Sequence, residues 1–92
     1  MGLSVALISK NEERNIARTL ESIFDVADEI VLIDSFSSDN TIKIAEQFHC
    51  KIFQEEWKGF AGQKNSALEK CSMDWILFLD CDEVVTTKLR VN

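Results

Sequence analysis

Trp75-Ile-Leu-Phe-Leu-Asp80-Cys81-Asp82-Glu83 is the stretch that decides the fold. Five apolar residues in succession read as a strand covered on both faces, as in a parallel sheet flanked by helices. Three acids follow at its C-terminal end, two of them spaced Asp-x-Asp. Ligands of open α/β sheets bind outside the carboxyl ends of the strands. One acid there would read as solvated or as a helix cap. A spaced pair, with Glu83 and with Asp34 at another strand end, implies a counter-charge, because clustered carboxylates repel. Oxygen donors suit Mg2+ or Mn2+, and such a cation commonly accompanies a phosphate-bearing substrate. Asp80 and Asp82 are the candidate metal ligands. Cys81 between them fits poorly, since successive side chains of a strand point apart and oxygen suits these cations better than sulfur.

Working outward, the pattern is β-α-β-α-β-α-β. Leu3–Ile8, Ile30–Ile33, Lys51–Gln54 and Asp74–Leu79 read as strands, and Asp34 closes the second. Asn11–Phe24 reads as a helix with Ile16, Leu20, Ile23 and Phe24 on one face. Either Ser9 with Glu12 as a capping box, or Asn11 as N-cap, would start it. Asp39–Phe48 is the second helix, with Thr41, Ile44, Ala45 and Phe48 inward and Ser38 or Asp39 as cap. Phe60–Cys71 is the third, with Ala61, Lys64, Ala67, Leu68 and Cys71 in register. Alternating strands and helices predict an α/β, Rossmann-like three-layer sandwich with right-handed crossovers. The third strand is short and mixed, which suits an edge. The predicted sheet order is therefore 3-2-1-4, with the ligand site at the switch point between strands 1 and 4.

The chain has 92 residues, 46 % of them hydrophobic, and reads as one small globular unit. A net charge of −6 without any Lys/Arg run excludes non-specific nucleic-acid binding. No stretch approaches the roughly 20 apolar residues of a membrane span. The opening Met1-Gly-Leu-Ser-Val reads as a strand and not a signal peptide. Three cysteines, without CxxC spacing, argue against a disulfide framework and for the cytoplasm.

Ser9-Lys10-Asn11-Glu12-Glu13 contains no glycine and places two acids at a helix start, so it is neither a P-loop nor a dinucleotide fingerprint. Phosphates would then be neutralised elsewhere, which favours a metal. Lys64 falls on a side shared with Ala61 and Leu68, where a lysine should reach a phosphate or carboxylate. Trp57 and Phe60 read as packing residues before base-stacking ones. His49, the only histidine, ends the second helix, and no Ser-His-Asp or Cys-His set can be assembled.

Leu3-Ser-Val-Ala-Leu-Ile-Ser-Lys-Asn-Glu-Glu-Arg-Asn-Ile and Ala27-Asp-Glu-Ile-Val-Leu-Ile-Asp-Ser-Phe-Ser-Ser-Asp-Asn-Thr resemble the opening of the inverting family-2 glycosyltransferases. Leu79-Asp-Cys-Asp-Glu resembles their metal-binding segment. Trp57-Lys-Gly-Phe-Ala-Gly-Gln-Lys-Asn65 is similar to the branch acting as β-1,4-glucosyltransferases of the lipopolysaccharide core. The resemblance implies a GT-A fold and a nucleotide-sugar donor, UDP-glucose foremost, with a lipopolysaccharide-core or other glycan acceptor. It implies that Ser9, Asn11 and Glu12 line the nucleoside pocket and that Asp34 contacts the base or ribose. Asp80 would face the ribose or sugar, Asp82 would bind the metal at the diphosphate, and Lys64 and Asn65 would lie near the diphosphate. Phe36 departs from the small residue, often glycine, common at its place in the family.

The family's catalytic base and acceptor pocket belong to a second half of the domain, and no catalytic residue is assigned within residues 1–92. The expectation is a nucleotide-sugar-binding half, truncated after the Asp-x-Asp motif and inactive in transfer by itself. Its place is the cytoplasm, with the full-length protein at the inner face of the membrane. A homodimer pairing the fourth strand with its copy is expected, because that edge is apolar. A non-catalytic nucleotide- or metal-binding module is the competing reading. A phosphoacceptor domain would need an acidic pair after strand 1, and a sugar-phosphate nucleotidyltransferase a glycine-rich loop there.

Overall fold

The computed structural model describes residues 2–81. Four strands and three helices alternate: β1 (Leu3–Ser9), α1 (Ile16–Ile23), β2 (Glu29–Asp34), α2 (Thr41–Glu46), β3 (Lys51–Gln54), α3 (Phe60–Glu69) and β4 (Trp75–Asp80). All pairings are parallel and the sheet order is β3-β2-β1-β4, the predicted arrangement. The two central strands are buried almost throughout.

Alternation along the strands divides the core between two faces. Val5, Leu7, Ile30 and Leu32 point to one face, where Ile16, Leu20 and Ile23 of α1 and Ala45 of α2 pack on them. Ala6, Ile8, Val31 and Ile33 point to the other, where Ala67 of α3 closes the layer. Ile16, Thr19, Leu20 and Ile23 follow the three-and-four spacing of a helix with one buried stripe.

Several local expectations are corrected. The first helix starts at Ile16, not Asn11. Asn11 takes φ 53°, a left-handed conformation that asparagine tolerates, and turns the chain instead. Neither proposed cap forms, because Ser9 Oγ donates to Asp34 and Asn11 Oδ1 accepts from Ser38. Phe24 is 46 % exposed, edge-on to Phe48 with centroids 5.8 Å apart. The second helix is shortened to Thr41–Glu46, with Asp39 accepting the Thr41 N–H at 3.0 Å. The third buries Gln63, Ser66 and Ala67, while Ala61 is exposed and Lys64 half-buried. Its register follows Gln63, whose amide finds partners inside. β4 is not covered on both faces: Trp75 and Ile76 are 62 % and 44 % exposed. Among the described residues β4 pairs only with β1, so it stands at an edge.

At the amino edge of the sheet, Glu29 ties four segments together. Its carboxylate accepts from Ser4 Oγ at 2.6 Å, from Lys51 Nζ, and from Ser72 N and Oγ at 2.8 and 2.9 Å. Burial pushes this carboxyl up, but the bonds from Lys51, Ser4 and Ser72 outweigh it and hold it at about 2.

Candidate functional site

The parallel register brings the carboxyl ends of the strands level: Ser9 lies beside Asp34, Asp34 beside Gln54, and Ile8 beside Asp80. Asp34 is fully buried. Its Oδ1 accepts from Ser9 Oγ at 2.6 Å and from Ser37 Oγ at 2.5 Å, and its Oδ2 accepts from Ser37 N at 2.7 Å. Charge-assisted bonds of this length are strong, and they fix the turn that follows β2.

The turn after β1 is laced to the turn after β2. Lys10 Nζ donates to the carbonyls of Ser35 and Phe36 at 2.8 and 3.1 Å. Asn11 N donates to Ser37 Oγ at 2.8 Å, while its Oδ1 accepts from Ser38 N at 2.8 Å. Glu12 N donates to Thr41 Oγ1 at 2.8 Å, and Glu13 N to Asp39 Oδ2 at 3.2 Å. Burial raises the Asp39 carboxyl, but bonds from Thr41 and Glu13 bring it below its ordinary value. These bonds hold two glycine-free turns in one shape.

A third segment, the approach to α3, is tied to the same place. Gln63 is fully buried, donates Nε2 to Ser35 Oγ at 3.0 Å, and accepts Lys58 N at 3.2 Å. Glu55 accepts from Lys58 Nζ and Ser66 Oγ, each at 2.6 Å, and pairs with Lys70 at 3.0 Å. Those bonds, Lys58 first, hold its carboxyl at about 2.

Between these turns opens a cleft of about 280 Å³ lined by Ile8, Ser9, Lys10, Glu12, Trp57, Phe60, Asp80 and Cys81. Of the sequence-predicted residues it gathers Ser9, Glu12 and Asp80. Asn11 is exposed on the outer turn, and Asp34 is buried beneath Ser9 and Ser37. Lys64 lies with its ammonium 5.1 Å from the centroid of the Phe78 ring, and Asn65 is exposed on α3. Asp82 and Glu83 lie outside the described residues. The Cys81 thiol donates to Ile8 O at 3.0 Å, and the residue is buried in the core.

Lys10, Ser37 and Gln63 are residues of this region to which the sequence reading gave no role. Lys10 and Ser37 leave no periodic trace. Gln63 had one signal, a polar side chain one position before the lysine singled out on α3. Trp57 and Phe60, read as packing residues, are 57 % and 54 % exposed and line the cleft.

The cleft can take a hard cation by its chemistry. Asp80 and Glu12 are oxygen donors on its lining, and an Asp-x-Asp partner follows directly in sequence. Among the described residues no group of three or more His, Cys, Asp or Glu side chains comes together.

Residues 4–90 match the family described as Glycosyl transferase family 2. An uncharacterized glycosyltransferase of Rickettsia felis is 41 % identical over 88 residues, 96 % of this chain and 31 % of the relative. The lipopolysaccharide core biosynthesis glycosyltransferase LpsC of Rhizobium meliloti is 38 % identical, over 96 % of this chain and 34 % of the relative. Among solved structures, S. aureus TarS 1-349 in complex with UDP-GlcNAc aligns with TM-score 0.78 and 25 % identity, over 96 % of this chain and 28 % of that one. Glucosyl-3-phosphoglycerate synthase of Mycobacterium tuberculosis, in complex with Mn2+, UDP and glucosyl-3-phosphoglycerate, aligns with TM-score 0.76 and 25 % identity, over 87 % and 33 %. The chain thus spans about a third of the length of these relatives.

Proposed function

This chain belongs to glycosyl transferase family 2, and we propose that residues 1–92 are the nucleotide-sugar-binding half of a metal-dependent, inverting glycosyltransferase domain. The observation that carries the reading is the cleft at the carboxyl ends of β1 and β4, with Asp80 on its lining and two laced turns beside it. UDP-glucose is the proposed donor. UDP in the complexes of TarS and of glucosyl-3-phosphoglycerate synthase supports the nucleotide, and Mn2+ in the latter supports the metal. LpsC supports a lipopolysaccharide-core acceptor.

Asp80 and Asp82 would hold Mg2+ or Mn2+, which would neutralise a diphosphate in an acidic site that has no glycine cradle. Ser9, Asn11 and Glu12 would border the nucleoside, with Asp34 holding Ser9 in place from below. Lys64 and Asn65 would serve the diphosphate side after Lys64 leaves Phe78. The base that deprotonates the acceptor hydroxyl is proposed to lie in the part of the relatives that these residues do not span. Transfer is placed in the cytoplasm at the inner membrane face; no described helix is long and apolar enough to cross a membrane. The exposed β4 edge would pair with a second copy, which sedimentation of the chain at micromolar concentration tests: a dimer supports the pairing and a monomer overturns it.

Calorimetric titration of the 92 residues with UDP and Mn2+ tests the reading. Saturable binding is expected, and Asp82→Asn should remove most of it while the circular dichroism stays unchanged. Equal affinity in the variant would overturn the metal assignment. Robust transfer from UDP-glucose to a lipopolysaccharide-core acceptor by these residues alone would overturn the half-domain reading.

A further inference from the structure

Trp57 and Phe60 are both more than half exposed, yet they line the cleft together with Ile8, Ser9, Lys10 and Glu12. Large rings left in water on a cleft wall retain an unused hydrophobic driving force. The segment that carries them is tied at several points. Gly59 takes φ 88°, a conformation open to glycine. Lys58 N–H is held by Gln63, whose own amide is anchored to Ser35, and Lys58 Nζ bonds Glu55. Phe60 stands edge-on to Phe78 of β4 with centroids 6.1 Å apart. Trp57 is thus an aromatic surface presented on a loop fixed from both sides.

We infer that Trp57 is a binding residue whose indole stacks on the nucleobase of the donor, an inference that rests on the nucleotide-sugar reading above. Placement decides which part of the nucleotide meets the ring. Asp80 marks the acidic part of the cleft, where a metal and diphosphate belong. A diphosphate gains nothing from the negative face of an aromatic ring. The flat, uncharged base does, because base–aromatic stacking uses π faces that every base possesses. The Ser9–Glu12 turn, also on the lining, supplies polar groups for the edge of such a base. Phe60, braced by Phe78, extends the wall behind the indole.

The chain has two tryptophans, Trp57 and Trp75. Trp75→Phe therefore leaves Trp57 as the sole indole, on a variant altered only at the amino end of β4, the opposite end from Asp80. Its emission is followed while UDP, UDP-glucose, glucose 1-phosphate and pyrophosphate are added with Mg2+. Saturable quenching of equal extent by UDP and UDP-glucose, and none by the other two, is the expected result. In calorimetry Trp57→Ala should weaken UDP about tenfold or more, with Trp57→Phe retaining most of the affinity. Heat of UDP binding without quenching, or wild-type affinity in the folded alanine variant, would overturn the inference. Quenching by UDP-glucose but not UDP would put the sugar on the ring and overturn it also. No binding of either nucleotide by the unmodified chain would remove the nucleotide-sugar reading itself, and the inference with it.

Discussion

Replacing Glu29 by glutamine tests the account of the sheet's amino edge. Burial raises this carboxyl, yet bonds from Lys51, Ser4 and Ser72 hold it at about 2 against an ordinary 4.5. Its side chain is 2 % exposed, but that of Lys51 is 58 % exposed, so water screens the strongest of those bonds in part and the free energy read from the shift is an upper bound. The gap corresponds to about 3 kcal/mol at ~1.36 kcal/mol per pH unit. The sign follows from which state holds the proton. As pH falls below the unfolded value of 4.5, the unfolded chain takes up a proton that folded Glu29 refuses until about 2. The contribution is therefore complete above the unfolded pKa, shrinks through that window, and vanishes below the folded one. Glu29→Gln should cost up to about 3 kcal/mol near neutral pH and close to nothing in strong acid, so the two stability curves converge. Glu55, also held at about 2, titrates in the same window but is present in both proteins and cancels in the difference. Urea unfolding followed by circular dichroism at several pH values reads this directly. A domain of this size has on the order of 5–14 kcal/mol to lose, so the variant remains folded enough to measure. Curves that stay parallel into acid, or a loss below about 1 kcal/mol near neutrality, would refute the reasoning.

Asp34→Ala removes the acceptor of one buried and two part-buried bonds; it should cost about 3 kcal/mol in urea unfolding and weaken UDP binding, since Ser9 and Ser37 lose their anchor. Gln63→Leu should cost about 1–2 kcal/mol and loosen the Trp57 loop, seen as faster amide exchange at Lys58. Phe36 takes φ 54°, so Phe36→Gly should relieve about 1–2 kcal/mol of left-handed strain, of which backbone entropy returns roughly half, leaving a small rise in thermal midpoint.

The order of the strands was legible because one of them stands apart: β1, β2 and β4 are apolar runs and β3 is not. β1 and β2 are apolar enough to be central, and Lys51-Ile-Phe-Gln is too mixed to be anything but an edge. The full burial expected for β4 failed for the converse reason: an apolar run records what a strand can tolerate, and an edge strand can be as apolar as a central one. Helix starts were misplaced where polar side chains bonded across turns instead of capping their own helix, as Ser9 and Asn11 do. Asp34 and Asp80 were visible at strand ends because each closes a local apolar run. The contributions of Lys10 and Gln63 were not, since their partners lie 25 and 28 residues away in sequence and periodicity carries no such information. Exposed Trp57 was missed because an aromatic residue before a helix reads the same whether it packs inward or stands in water.

The register that joins β1 to β4 has a consequence for the order of assembly. Of the four described strands β1 is synthesised first, and β4, which pairs with it from Leu3–Trp75 to Ile8–Asp80, is synthesised last. Pairing of β1 with β2 spans far less chain, so those strands can form their ladder while β4 is still being made. One flank of β1 must then wait, open to water and to other chains, until the strand bearing Asp80 arrives. Of what these four strands build, the cleft is for that reason the last to form, and a nascent chain halted before Trp75 carries its laced turns without the Asp80 wall.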